Sequence, residues 1–208
     1  MSEARVPVGV VDLGTGNLFS VLRGLERAGG EPHLVSSARD IAAHERLVLP
    51  GVGSFADASR RAHALGLAGL LADALQANRA VLGICLGMQL LFEEGEEEGP
   101  SRGLALLPGR VVRLRGGEGV TVPHVGWQRL EVTAPHPLLS EREAPWFYFS
   151  HSYRAETDAS YVVATALHGE SIPAIVARGR LFGIQPHPEK SGAAGTALLA
   201  RFLTLSSS

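Results

Sequence analysis

Hydrophobic and polar positions divide the chain into two textures. The first opens with Val6-Pro7-Val8-Gly9-Val10-Val11, a continuous apolar run of strand length. Beyond Asn17 the apolar residues Leu18, Val21, Leu22 and Leu25 recur at helical spacing until Gly29-Gly30 ends the segment. The order then repeats. Strand-like runs at 32–35 and 46–49 precede a helical stretch over 56–78 that carries Leu65, Leu67, Leu70, Leu71 and Leu75 and is interrupted at Gly66 and Gly69. The apolar run 80–84 follows, and then Met88, Leu91 and Phe92 at helical spacing. Strands alternating with helices predict an α/β fold with a mostly parallel central sheet and helices on both faces; in such sheets, sites collect at the carboxyl ends of strands.

From about Gly103 the texture changes to short strand-like runs at 111–114, 119–122, 129–132, 146–149, 161–166, 172–177 and 181–184, separated by turns of Gly, Pro, Asp and Ser. This predicts a β-rich C-terminal half laid onto the same sheet, closed by a helix over 198–205. No internal repeat or low-complexity linker separates the halves, and 208 residues fit one domain over 1–208. A formal charge of −2 leaves no electrostatic footprint for nucleic acid or an anionic membrane, and no apolar run reaches membrane-spanning length. The single cysteine excludes a disulfide framework and a Cys-rich zinc site. It suits a reducing compartment, so a cytoplasmic location is expected, with no metal and no cofactor.

That cysteine is where the pattern switches from strand to helix. Gly83-Ile84-Cys85-Leu86-Gly87 has the form of the G-x-S-x-G nucleophile elbow with sulfur replacing oxygen, and the small flanking residues permit the tight turn. At the start of a helix, unpaired N–H groups and the dipole favour a thiolate. A second loop, Pro50-Gly51-Val52-Gly53-Ser54-Phe55, follows another strand, where backbone N–H groups can turn toward an anion as an oxyanion hole does. The opening loop Asp12-Leu13-Gly14-Thr15-Gly16-Asn17 is only superficially a dinucleotide fingerprint. Phe19 stands where the third glycine belongs, and no phosphate-loop lysine follows.

A cysteine nucleophile needs a histidine base and a group to orient it. Of eight histidines, His33, His44, His63, His136 and His168 read as surface residues. His187 follows the apolar run 181–184 and begins His187-Pro188-Glu189. Proline favours extended backbone before it, and in extended chain residues i and i+2 share a side, so Glu189 can reach the imidazole. His151, after Trp146-Phe147-Tyr148-Phe149-Ser150, is the alternative base, and His124 the third.

The Gly83 to Gly87 elbow with Gln89 behind it, the Pro50 to Gly53 loop and the late His187-Pro188-Glu189 together resemble the triad-type (class I) glutamine amidotransferases. Within that family the likeness narrows to the glutaminase subunits of imidazole glycerol phosphate synthases. It includes the opening Asp12-x-Gly14-x-Gly16-Asn17, Pro123-His124-Val125-Gly126-Trp127 and Phe149-x-His151-Ser152-Tyr153, and it covers nearly the whole chain. The resemblance implies a flavodoxin-like fold and glutamine hydrolysis through a Cys85 thioester, with His187 and Glu189 completing the triad. An oxyanion hole from Gly51, Val52 and Leu86 is implied, with Gln89, Glu97, Ser152 and Tyr153 binding glutamine. It also implies a heterodimer with a (β/α)8-barrel cyclase subunit, contacted near Asn17, Trp127, Tyr148 and Lys190. That partner would use the ammonia to make imidazole glycerol phosphate and aminoimidazole carboxamide ribotide in histidine biosynthesis. Two rival readings remain: another enzyme with the same elbow, either the glutaminase of another synthase, such as pyridoxal phosphate synthase, or a cysteine hydrolase of small esters; and a non-enzymatic regulatory or scaffolding subunit, against which the intact Cys85, His187 and Glu189 argue.

Overall fold

A computed structural model describes residues 5–14, 18–139 and 145–206. The first half comprises β1 (Val6–Val11), α1 (Leu18–Arg27), β2 (Gly30–Val35), α2 (Ala38–Ala42), β3 (Arg46–Gly51), α3 (Phe55–Ala64), α4 (Leu67–Gln76), β4 (Ala80–Cys85) and α5 (Leu86–Leu90). Short strands β5 (Glu94–Gly95), β6 (Ser101–Arg102) and β7 (Arg110–Arg113) follow. Then come β8 (His124–Val132), β9 (Trp146–His151), β10 (Tyr153–Glu156), β11 (Val162–His168), β12 (Glu170–Arg178), β13 (Leu181–Ile184) and α6 (Gly192–Leu203).

Nine strands form one sheet in the order β2-β1-β3-β4-β13-β12-β11-β8-β9. The pairs among β2, β1, β3, β4 and β13 are parallel, and from β13 outward every pair is antiparallel. The flavodoxin-like half and the β-rich half thus share one sheet, joined where β13 inserts beside β4. Because β4 and β13 are buried along their whole length, their side chains alternate between two cores. On one face Leu82, Ile84 and Phe182 pack with Val21 and Leu25 of α1 and Leu198 and Phe202 of α6. On the other, Val81 and Leu181 pack with Phe55 of α3, Leu67 and Leu71 of α4, and Met88 of α5. A smaller sheet, β10-β7-β5-β6, covers that second face. It is tied down by the nearly buried Arg154, which is paired with Glu156 and with Glu170 of β12.

Several elements differ from expectation. Residues 119–122 form no strand: Gly117 and Val120 share an isolated bridge around a turn in which Gly119 has φ +75°. Gly69 lies inside α4, and only Gly66, with φ +67°, breaks the helical stretch. The helix after the elbow is just five residues long. Its last carbonyls, on Leu90, Leu91 and Phe92, accept from the amides of Leu104, Leu106 and Ala105, so a crossing chain takes the bonds that further turns would use. The closing helix begins at Gly192, because Gly, Ala and Thr at 192–197 give no apolar period to read.

Candidate active site

The site sits where three neighbouring parallel strands end. In the β3–β4 register Gly51 stands opposite Cys85, and in the β4–β13 register Ile184 stands opposite Ile84. Gly51, Cys85 and the chain leading to His187 are therefore brought to one edge of the sheet. Cys85 has φ 54° and ψ −112°, a left-handed conformation that a non-glycine residue adopts only under tertiary constraint, and it ends β4 while starting α5. Glycine is required beside it: a Cβ on Gly87 would run into the Leu49 carbonyl of β3, and one on Gly83 would lie 2.6 Å from the Gly87 carbonyl oxygen. The turn is as tight as the elbow pattern requires.

His187 has extended backbone, φ −99° and ψ 95°, and its amide donates to the Tyr148 carbonyl at 2.8 Å. Ser191 Oγ fixes the same turn, donating to the His187 carbonyl at 2.6 Å and accepting from the Tyr148 amide at 3.0 Å. His187 Nδ1 meets Glu189 Oε1 at 2.8 Å, and both side chains are buried. The other ring nitrogen is left for Cys85, which lines the same cavity and raises the imidazole pKa. Burial pulls the imidazole pKa down. The hydrogen bonds with Cys85 and Glu189, and the charges on both, outweigh that pull and raise it from 6.5 to about 9. The arrangement favours the imidazolium form of His187.

A cavity of about 330 Å3 opens over the sulfur. Its lining includes Cys85 and His187 together with Gln89, Glu97, Ser152 and Tyr153, the residues singled out for glutamine. Val52 and Leu86 also line it; Gly51 sits behind them in β3. The acidic run is resolved into roles: Glu93 and Glu96 accept from the backbone amides of Gly109 and Arg113, while Glu97 reaches the cavity, where its carboxylate accepts from the Phe55 amide at 2.6 Å. Lys190 is at the cavity rim and holds its ammonium 5.9 Å from the Tyr148 ring centroid; Trp127 packs edge-on against the same ring at 6.0 Å. These three lie together on the outer face of β8 and β9. Asn17 lies outside the described residues.

The alternative bases are committed elsewhere. His151 Nδ1 donates to the Tyr153 carbonyl at 2.8 Å, so its Nε2 is the acceptor for His124 Nδ1 at 3.2 Å. Both His151 nitrogens are occupied. Burial, chiefly, depresses the His151 and His124 pKa values to about 4, with His168 adding repulsion. Two of the histidines read as surface residues are half-buried against other rings. His168 stacks on His124 with centroids 4.0 Å apart, and His136 packs against Phe182 and is lowered by burial.

Residues the pattern did not single out complete the site. Gln185, fully buried, bridges Gln89 and Cys85. Arg27 of α1 donates to the Glu189 carbonyl at 3.0 Å, and Gly24 lets α1 approach, since a Cβ there would lie 2.8 Å from that of Glu189. The sole sequence signal for Gln185 is a polar residue ending an apolar strand. Among the described residues no group of three or more His, Cys, Asp or Glu side chains could hold a metal, and no helix is long and apolar enough to cross a membrane.

Known proteins share this sequence pattern and this fold. The class-I glutamine amidotransferase family model matches residues 9–205. The imidazole glycerol phosphate synthase subunit HisH of Geobacillus kaustophilus is 46% identical over 202 residues, covering 94% of this chain and 95% of that protein. HisH of Geobacillus thermodenitrificans is 48% identical over 94% of each chain. That of Bacillus subtilis is 43% identical, also over 94% of each. Among solved structures, PurLQS from Thermotoga maritima superposes with a TM-score of 0.75 at 23% identity, covering 96% of this chain and 98% of that one, a likeness of fold. The chain belongs to the class-I glutamine amidotransferase family, and its curated relatives there are HisH subunits of imidazole glycerol phosphate synthase.

Proposed function

We propose that the chain, as one domain over residues 1–208, is the cytoplasmic glutaminase of an imidazole glycerol phosphate synthase, a heterodimer with a (β/α)8-barrel cyclase subunit. The observation that carries this reading is the buried Cys85–His187–Glu189 chain at the mouth of a cavity of amino-acid size. The Cys85 thiolate attacks the side-chain amide carbon of glutamine. The oxyanion that forms is held by backbone N–H groups of Leu86 and the Gly51-Val52 peptide; losing one such donor typically costs ~10²–10³ in rate. His187 gives its proton to the departing ammonia and leaves a thioester on Cys85. It then takes a proton from water, which attacks the thioester; glutamate departs and the thiolate returns. Glu189 keeps the proton on Nδ1 and steadies the imidazolium.

Glu97 supplies negative charge for the substrate α-amino group, Ser152 and Tyr153 supply donors for its α-carboxylate, and Gln89, whose NH2 hydrogens go to Tyr153 and Gln185, offers its amide oxygen to the α-amino group. Alternation along β8 and β9 leaves Val125, Trp127 and Trp146 more than half exposed beside Tyr148. That aromatic face meets the glutamine cavity at Lys190, which makes it the natural docking surface for the cyclase. Glycine at 51 eases rotation of the Gly51-Val52 peptide, so docking can set whether the oxyanion donor is in place. The test is glutamate release by the purified chain mixed with a cyclase subunit and its ligand. Release should rise with that partner and disappear in Cys85→Ala, while ammonia-dependent synthesis by the cyclase persists. Glutamine turnover surviving in Cys85→Ala would end the nucleophile assignment.

A further inference from the structure

A second set of buried polar groups reaches the Cys85 sulfur independently of His187. Continuing the Ile84–Ile184 register by one residue brings Gln185 alongside Cys85, and Gln185 Nε2 lies 3.8 Å from Sγ. Gln185 Oε1 accepts from Gln89 Nε2 at 3.0 Å. The same Gln89 nitrogen donates to the Tyr153 carbonyl at 2.9 Å, which also receives His151 Nδ1.

Chemistry fixes the orientation of both amides. A backbone carbonyl can only accept, so Gln89 must turn its NH2 group to Tyr153. That NH2 group also faces Gln185, which must answer with its oxygen. The NH2 group of Gln185 is thereby aimed at sulfur; flipping it would oppose two NH2 groups and set oxygen against the thiolate.

We propose that Gln185 is a donor to the nucleophile, oriented by Gln89 and the Tyr153 carbonyl, that stabilises Cys85 as a thiolate and fixes its direction. A hydrogen bond to the anion is stronger than one to a neutral thiol or thioester sulfur. The donation therefore assists twice, in forming the nucleophile and in releasing it when the thioester is hydrolysed. This deepens the glutaminase reading and rests on it only for the identity of the nucleophile. Gln89 lines the glutamine cavity as well, so one amide faces substrate while it holds the donor to the sulfur.

The full chain alone tests this, without glutamine or partner. Cys85 is the only cysteine, so total thiol alkylation by iodoacetamide reports on it. Gln185→Glu keeps the shape and the acceptor for Gln89 but replaces the donor with a carboxylate oxygen. Alkylation at neutral pH should fall by ~10-fold, the worth of one hydrogen bond to a charged group, and the pH profile should move to higher pH. The new carboxylate also repels the thiolate, so Gln185→Met, near-isosteric with neither charge nor donor, separates the two: a donor role still moves the profile to higher pH, and an unmoved profile in folded Gln185→Met, as a packing role alone would give, overturns the proposal. Gln89→Leu, which never touches the sulfur, should slow alkylation by ~3-fold by freeing the Gln185 amide to rotate. An unchanged alkylation profile in folded Gln185→Glu overturns the proposal. If circular dichroism shows that variant unfolded, an unchanged profile in Gln89→Leu overturns it instead. Absence of glutamate release with every cyclase tried would count against the glutaminase reading alone, since alkylation is read separately.

Discussion

Replacing Glu189 by Gln isolates the charge that the carboxylate contributes to His187, the proposed base. The amide oxygen can still accept from His187 Nδ1, so the ring keeps its tautomer and direction while the negative charge is lost. Raising the imidazole pKa from 6.5 to about 9 corresponds to about 3 kcal/mol at ~1.4 kcal/mol per pH unit, achieved against the opposing pull of burial. Glu189 Oε1 lies 2.8 Å from Nδ1, and both side chains are at most 5% exposed. A charge-assisted hydrogen bond of that kind is worth ~1.5–3 kcal/mol, so kcat should fall ~10- to 100-fold. The direction of the pH effect follows. Glu189 stabilises the protonated ring, so without its charge the proton leaves at lower pH, and the alkaline limb of kcat/KM moves toward neutrality by about one to two units. Glutamate release across pH 6 to 10, measured with the cyclase and its ligand present, reads both quantities. His187→Ala should lose more than Glu189→Gln, because it removes the proton carrier itself. A Glu189→Gln enzyme with an unmoved alkaline limb and a rate within twofold would refute the assignment of Glu189 to the imidazolium.

Gly87→Ala should abolish soluble expression or cost more than ~4 kcal/mol, since its Cβ meets the Leu49 carbonyl. Gly69→Ala, inside α4 with open space around it, should gain about 0.5–1 kcal/mol; thermal melts of the pair check both. For the buried His151, the folded pKa of about 4 lies below the unfolded 6.5, so folding opposes protonation: nothing is lost above pH 6.5, and up to about 3 kcal/mol goes as pH falls from 6.5 to 4. Melting temperature should decline through that window, and less so in His151→Asn. Trp127→Ala should weaken cyclase binding by at least ~10-fold, as loss of an interface aromatic commonly does, and titration calorimetry measures it.

What the sequence made legible was the part whose burial repeats with a period. The strands β1, β3, β4 and β13 are continuous apolar runs because both their faces are covered, and the glycines around Cys85 announce a turn that only small residues permit. Of the second sheet only β7 was legible, as the run 111–114; β5, β6 and β10 were hidden because they are two to four residues long and depend on distant partners. Arg154 of β10, for instance, reads as a surface arginine until Glu156 and Glu170 are beside it. The helix α2 left a signal that went unused: Ser37, whose hydroxyl accepts from the Asp40 amide at its start. His124, His151 and His168 form a cluster only because β8 pairs with β9 and the β11–β12 turn folds over them, a long-range fact with no local period.

The short elbow helix changes where the stabilisation of the thiolate comes from. The strand-to-helix pattern promised a dipole aimed at Cys85, yet α5 has five residues, and its last carbonyls are already neutralised by amides of the 104–106 segment. A helix that short supplies little field beyond its own first N–H groups. The work falls to groups that follow β13. His187, held by Glu189, provides the positive charge, and Gln185, held by Gln89, lies against the sulfur. Both lie just beyond β13, the strand that joins the parallel half of the sheet to the antiparallel half. Beyond β12 and β11 that second half ends in β8 and β9, where Trp127 and Tyr148 face outward and the Tyr148 backbone grips His187 and Ser191. A load on the β9 surface is therefore one hydrogen bond away from the base. The β-rich half is thus needed for the geometry around His187 as well as for the aromatic surface it exposes.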